Sequence, residues 1–394
     1  MLPSLRFLPL AGIALAARLM AQDPAPFLSP KPTPAPASKT ETILPAVPAS
    51  TAMTLILPTD NDALLRGKPE EFYMYVKRSF EGVESKPWEG GQYGYFRGPV
   101  RVGSQVVFMH FHEGIDIACQ KRSEKGEPQD EVRSISDGEV VHVSDLPGAS
   151  NYGRYIVIKH DWGEGSFYSL YAHLSHCTAK LGDKVKPGTP IAIMGHTGEG
   201  IDCARSHTHL ELNVMLNTHF GEYYEGSLNR HGAYNGLNLA GMDIAALYLA
   251  RQKNPALTVA QFLKTQTTVW KVVVPRRGDL ELPQAYPWMG ENLSQPSPSW
   301  EISFTEGAFP LKITPSNEVC ESPRVSWVQD RGGIPHVYYT RGAVSSSGAL
   351  TGSGRSYLEL ITGDFTHPSA VTKSDKKTTS SSRKSSKKKK SQDS

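Results

Sequence analysis

The chain has 394 residues, 39% of them hydrophobic, with 35 Gly and 29 Pro. That length exceeds one ordinary domain, the hydrophobic share is enough for a real core, and the Gly and Pro content favours turn-rich β architecture. The formal charge of +3 hides a split: Lys373–Asp393 holds nine Lys/Arg against two Asp/Glu, leaving a mildly acidic body that gives no sign of a nucleic-acid surface.

In chain order, residues 1–21 read as an export signal, with Arg6 as the positive start and Phe7–Ala17 as the apolar run. Small residues allow cleavage after Ala16 or Ala21. Pro9 and Arg18 keep the run short of the ~20 apolar residues of a spanning helix, and no later segment qualifies. The expectation is an exported protein without a transmembrane span, in the periplasm, the outer envelope or outside the cell. Residues 22–52 are a Pro/Ala/Ser/Thr-rich linker that cannot pack. An aromatic, turn-broken lead-in follows over 53–100.

From Val106 to Met215, short apolar runs alternate with Gly-marked turns: FMHFHEGIDIA, GEVVHVS, GRYIVIKH, SFYSLYAHLS, TPIAIMG and HTHLELNV. None carries a 3.6-residue apolar period, so antiparallel β-structure is expected. After Asn235, NLAGMDIAALYLARQ suits a partly buried helix and Thr258 a cap for a second one. Strands are expected at 269–274, 300–304, 325–329 and 336–340, making 236–366 a smaller α+β module. The Ser/Lys tail 367–394 is of disordered composition and suited to weak, salt-sensitive contact with anionic envelope polymers.

Nine of the 13 histidines lie between residues 110 and 209. In an extended segment, residues two and four apart share a face. His112 and Asp116 of HEGID therefore point one way, with Gly114 between them, and so do His207 and His209 of HTH. His110 falls on the same side as His112. Imidazoles and one carboxylate brought together this way are a donor set that suits zinc. The four cysteines, Cys119, Cys177, Cys203 and Cys320, form no CxxC pair, and both disulfides and free thiols stay open.

HEGID at 112–116, YAHLS at 171–175 and HTH at 207–209 occur in the order HxGxD, Tyr-x-His, HxH. With YGYFRGP, DGEVVHV, NYGRYIVIKH and LGDKVKPGTPIAIMGHTG between and before them, the segment 92–215 resembles the lysostaphin-like zinc endopeptidases, peptidase family M23. The resemblance implies a mainly β fold, an antiparallel sandwich-like peptidase domain of the duplicated hybrid motif type within 53–235. It makes His112, Asp116 and His209 the ligands of one zinc ion, and His173 and His207 the unligated catalytic histidines, their individual tasks left open. Three protein ligands leave a fourth position for water, as in catalytic zinc sites. The implied function is a zinc metalloendopeptidase cutting peptide bonds of peptidoglycan stem peptides or cross-bridges. The alternative is a non-enzymatic wall-binding protein or amidase activator on the same scaffold. One departure from the family pattern is a polar run, CQKRSEKGEPQDE, expected as a surface loop near the site entrance. Asn151 and Tyr152 are expected to border the groove.

Overall fold

The computed structural model describes residues 53–74, 79–84, 90–94, 99–108, 111–223 and 230–364. The expected export signal, linker, His110 and basic tail lie outside the described residues. No helix among the described residues is long and apolar enough to cross a membrane.

A short helix α1 (Pro69–Phe72) and two hairpins, β1 (Ser79–Phe80) with β2 (Val83–Glu84) and β3 (Pro99–Val102) with β4 (Gln105–Phe108), precede the main sheet. That sheet is built from β5 (Ile115–Ala118), β6 (Glu131–Arg133), β7 (Gly138–Ser144), β8 (Arg154–Asp161), β9 (Ser166–Cys177), β10 (Lys184–Val185), β11 (Pro190–Met194), β12 (His207–Met215) and β13 (Leu239–Met242). Its order is β10-β7-β8-β9-β11-β6, with β12 joined to β9, β5 and β13 and every strand pair antiparallel. The mainly β, antiparallel expectation holds.

β12 carries the site. Its odd positions His207, His209, Glu211 and Asn213 share one face, and Leu210, Leu212 and Val214 enter the hydrophobic core on the other. β5 repeats the pattern: Ile115 and Ile117 lie in the core, and Asp116 between them faces away. The register sets His209 opposite Asp116 on one side and opposite Ala172 of β9 on the other.

Several sequence expectations need correction. HEGID is not one extended strand: β5 starts only at Ile115, and His112 sits in the loop before it. Gly114 does more than add no bulk, because a Cβ there would lie 2.3 Å from Leu210 O and 2.8 Å from Glu211 Cγ. The loop therefore lies directly on the β12 backbone. Gly114→Ala is expected to cost about 2–3 kcal/mol through overpacking, read as a lower urea midpoint. The segment 239–242, expected as helix, is strand β13, because its backbone pairs with Leu212–Met215. The helix, α3 (Ile244–Lys253), starts only after the Asp243 cap.

Beyond the short α2 (Phe220–Tyr223) and α3, Thr258 caps α4 (Val259–Lys264) in a reciprocal capping box with Gln261. A second sheet runs in the order β16-β15-β14-β17, from β14 (Trp270–Pro275), β15 (Ser299–Phe304), β16 (Pro310–Ser316) and β17 (Arg324–Val328), with helices α5 (Glu281–Ala285) and α6 (Gly352–Thr362). The strand expected at 336–340 is a 3₁₀ turn, His336–Tyr338, followed by the buried Tyr339. One buried apolar cluster runs from Ile115 and Leu210 to Trp270, Trp300 and Leu358. Polar contacts join the same two stretches of chain: Tyr286 Oη donates to Ser166 O (2.7 Å), Trp288 Nε1 to Glu164 O (2.9 Å) and Asn217 Nδ2 to Leu360 O (3.1 Å).

His160 is fully buried in this core, stacked on Trp162 and bonded to Asp137 O and Ser169 Oγ. Burial pulls its pKa down to about 4 from 6.5. The unfolded chain then binds a proton that the folded chain refuses, so stability is complete above pH 6.5 and falls towards pH 4. The expected loss from this residue is about 3 kcal/mol. Urea unfolding across that window checks it, and His160→Gln should flatten the profile.

Candidate metal centre

All five side chains singled out from the sequence meet on the non-core side of β12 and its neighbours. Asp116, His207, His209, His112 and His173 are 0, 1, 5, 7 and 7% exposed, so their mutual interactions are little screened by water. His112 Nε2 lies 3.1 Å from His209 Nδ1 and 3.1 Å from Asp116 Oδ1, and His209 Nδ1 lies 2.9 Å from Asp116 Oδ1. His207 Nε2 is 3.4 Å from the same carboxylate oxygen. The His173 ring is 4.7 Å from that of His207 and 5.7 Å from that of His209, centroid to centroid.

The outer partners of each ring fix its tautomer. His112 Nδ1 donates to Gln92 O (2.9 Å), His173 Nδ1 to Thr197 O (2.9 Å) and His207 Nδ1 to Arg205 O (2.7 Å). A carbonyl can only accept, so each of these rings keeps its lone pair on Nε2. His209 is turned the other way: its Nε2 donates to Glu211 Oε1 (2.9 Å) and its Nδ1 faces Asp116 and His112.

His173 reaches this group through a backbone irregularity. Regular alternation would put it on the face of Tyr171, which is buried in the core with its hydroxyl bonded to Ile135 N. Instead His173 adopts φ +61° where β9 changes partner, its first half pairing with β12 and its end with β11. A non-glycine residue in that region carries a strain of ~1 kcal/mol or more. The Tyr152 carbonyl, accepting from His173 N (2.9 Å), holds the turn. Gly198 gives the ring room: a Cβ there would be 2.3 Å from Asn151 O and 3.0 Å from His173 Nδ1.

The sequence reading missed two supports. Glu211 is fully buried and accepts from His209 Nε2, Tyr152 Oη (2.7 Å) and Asn213 Nδ2 (2.9 Å). Its signal was available, since it stands two residues after His209 on the same strand face. The second support comes from far along the chain. Arg341 Nη2 bonds Glu113 Oε1 (3.1 Å) inside HEGID, and its guanidinium carbon lies 4.3 Å from the Phe111 ring centroid. Gly241 backs the same loop, a Cβ there falling 2.1 Å from Glu113 O. Nothing in the local sequence marks Arg341.

Electrostatics agree with a cation at the centre. Burial alone would raise the Asp116 carboxyl, but the neighbouring imidazoles outweigh it and hold it well below the usual carboxylate range. Burial likewise opposes charge on His209, yet hydrogen bonds to Asp116 and Glu211 push it up to about 10. The proton on His209 Nδ1 thus lies among His112 Nε2 and Asp116 Oδ1. Without it, three acceptors would converge with no positive charge between them. The donor atoms of His112, Asp116 and His209 all lie within 4.8 Å of one another, and two imidazoles with one carboxylate fit a zinc ion. Burial and the rings of His207 and His209 hold His173 well below its ordinary value, keeping it neutral.

All four cysteines are free. Cys119 Sγ donates to the Asp130 carboxylate, which also accepts from Gln120 N and Lys121 N. The polar run forms a small hairpin over 121–129, bridged between Arg122 and Pro128. Its Arg122 reaches Cys203 O and Ala204 O, a few residues before His207.

The chain is 30% identical over 145 residues to the glycyl-glycine endopeptidase ALE-1 of Staphylococcus capitis, covering 36% of this chain and 35% of that protein. It is 31% identical over 104 residues to the murein hydrolase activator EnvC of Escherichia coli (strain K12), covering 26% and 22%. It thus spans about a third of the length of the first and about a fifth of the second. The catalytic domain of the antimicrobial peptidase lysostaphin from Staphylococcus simulans aligns in space at 22% identity, covering 45% of this chain and 92% of that one, with a TM-score of 0.25. Residues 110–220 match the model of peptidase family M23, and with it every one of the five side chains gathered here. It is this stretch, residues 110–220, that is similar to peptidase family M23.

Proposed function

We propose that the protein is an exported zinc metalloendopeptidase that hydrolyses peptide bonds in peptidoglycan. His112, Asp116 and His209 would hold the ion, and His173 and His207 would move protons. The observation that carries this reading is the convergence of three potential ligand atoms, from His112, Asp116 and His209, beside two imidazoles of fixed tautomer. Bound zinc supplies a Lewis acid for the scissile carbonyl and acidifies a water to a pKa near ~7.

The remaining chemistry belongs to the side chains. His173 and His207 each give the Nδ1 proton to a backbone carbonyl, so each turns a basic Nε2 inward. A neutral imidazole there takes the proton of the attacking water and, once charged, returns it to the leaving amine. His173 suits the first task because its surroundings keep it unprotonated at neutral pH. His207 Nε2 lies 3.4 Å from Asp116 Oδ1, beside the same centre.

Purified peptidoglycan digested with the protein should release new amine termini, identified by mass spectrometry of the muropeptides. A chelator should stop the release and added zinc restore it. Intact muropeptides under zinc-replete conditions would sink the peptidase reading. The similarity to a murein hydrolase activator supports a second reading, a protein that binds the wall and stimulates another hydrolase. It predicts no release by the protein alone and faster release when a wall amidase is added.

A further inference from the structure

A second group of metal-type donors lies outside the site described above. We infer that Glu127, His196 and Cys203 form a second transition-metal site of the zinc class. Its ion would staple the 121–129 hairpin to the segment between β11 and β12. The three donor atoms lie within 4.8 Å of one another and come from three separate stretches of chain. His196 Nε2 is 3.2 Å from Glu127 Oε2, and Cys203 Sγ points at Gly126 O from 3.3 Å. A four-coordinate ion with bonds of ~2.0–2.3 Å spaces its donors by about 3.3–3.8 Å, so small side-chain rotations bring this set into range.

The chemistry selects the metal class. A thiolate and an imidazole favour zinc over magnesium or calcium, and three protein ligands leave a corner for solvent. Glu127 and His196 side chains are 59 and 34% exposed, so an ion can enter from water. The backbone is preset. Asp202 caps the 3₁₀ turn that begins at Cys203, and Arg122 ties Gly126 O to Cys203 O through one guanidinium nitrogen (2.8 Å each). That nitrogen is also 3.9 Å from Cys203 Sγ, a positive charge that opposes a cation. Two anionic ligands, the thiolate and the carboxylate, offset it.

The placement gives the ion a task. Thr197 follows His196, and its carbonyl fixes the tautomer of His173. Arg205 lies two residues after Cys203, and its carbonyl fixes the tautomer of His207. An ion gripping His196 and Cys203 would hold both carbonyls in place. The binding claim itself does not depend on the proposed peptidase activity.

Cobalt titration of the full chain separates the two centres, because the first has no sulfur ligand. The expected result is two equivalents bound, one of them giving thiolate-to-cobalt charge-transfer absorption. Cys203→Ser should lose that absorption and one equivalent, and His196→Gln should lose the same equivalent by a change that leaves the thiol intact. His112→Ala should keep the absorption while losing the other equivalent, and Cys119→Ser should change neither. No charge-transfer band in the unaltered chain at saturating cobalt, or a band that survives Cys203→Ser, overturns the inference. Loss of the band in Cys119→Ser alone overturns it equally.

Discussion

Replacing His112 with alanine is expected to abolish zinc binding and peptide hydrolysis together, whereas His207→Ala should keep the metal and lose turnover. The two residues sit in the same pocket, 3.1 and 3.4 Å from one oxygen of Asp116, so simple damage to the pocket would affect both variants alike. Their partners make the difference. His112 Nε2 faces His209 Nδ1 and Asp116, and removing it leaves one imidazole and one carboxylate, too few to keep zinc against a chelating buffer. For His207 the expected fall in kcat is about 10²–10⁴-fold, the usual worth of a positioned acid or base. Metal content by atomic emission, read beside the rate of muropeptide release, separates the cases. Wall-lytic activity in His112→Ala would refute the ligand assignment.

Glu211→Ala is the second large expected effect, and it reaches the metal through a residue that does not touch it. Glu211 accepts from His209 Nε2, which leaves Nδ1 as the ring atom turned to the centre. Without that acceptor the ring is free to rotate and the balance of its tautomers shifts. Losses of this kind weaken metal binding about 10–100-fold. Tyr152 Oη would lose its buried acceptor as well, adding about 1–3 kcal/mol of instability, while Asn213 Nδ2 would keep only Tyr168 O. Glu211→Gln keeps an accepting oxygen and should recover part of the affinity. Competition against a chromophoric zinc chelator measures it. Equal affinity in all three proteins would show that the carboxylate has no part in holding the ring.

Much of the centre was legible in sequence because β12 obeys strand alternation without interruption. HTHLELNV puts His207 and His209 on one face and its aliphatic residues on the other, as observed. Asp116 was legible for the same reason, standing between two core isoleucines. His112 was assigned to the right group by the wrong geometry, since a loop pressed onto β12, not a strand, delivers it. His173 follows no periodic rule, because its inward aim depends on a positive φ at the partner switch of β9. Residues 239–242 misled for a related reason. Their apolar run suits a helix as well as a strand, and the open edge of β12 decided between them. The Tyr-rich run at 336–340 has strand composition, yet Tyr339 buries its ring and donates to Gln329 O, closing a turn. Helix α6 was unreadable from its glycine-bearing start, GSGRS, and is held by the Thr351 cap and the core contacts of Leu358, Leu360 and Ile361.

The Arg341–Glu113 contact has a bearing on biosynthesis. A ribosome delivers residue 113 long before residue 341, a gap of 228 positions. During that interval the nascent chain can form β5, β9 and β12, but the loop carrying His112 lacks its distal guanidinium clasp. The loop's last anchor therefore arrives only once residue 341 has been made.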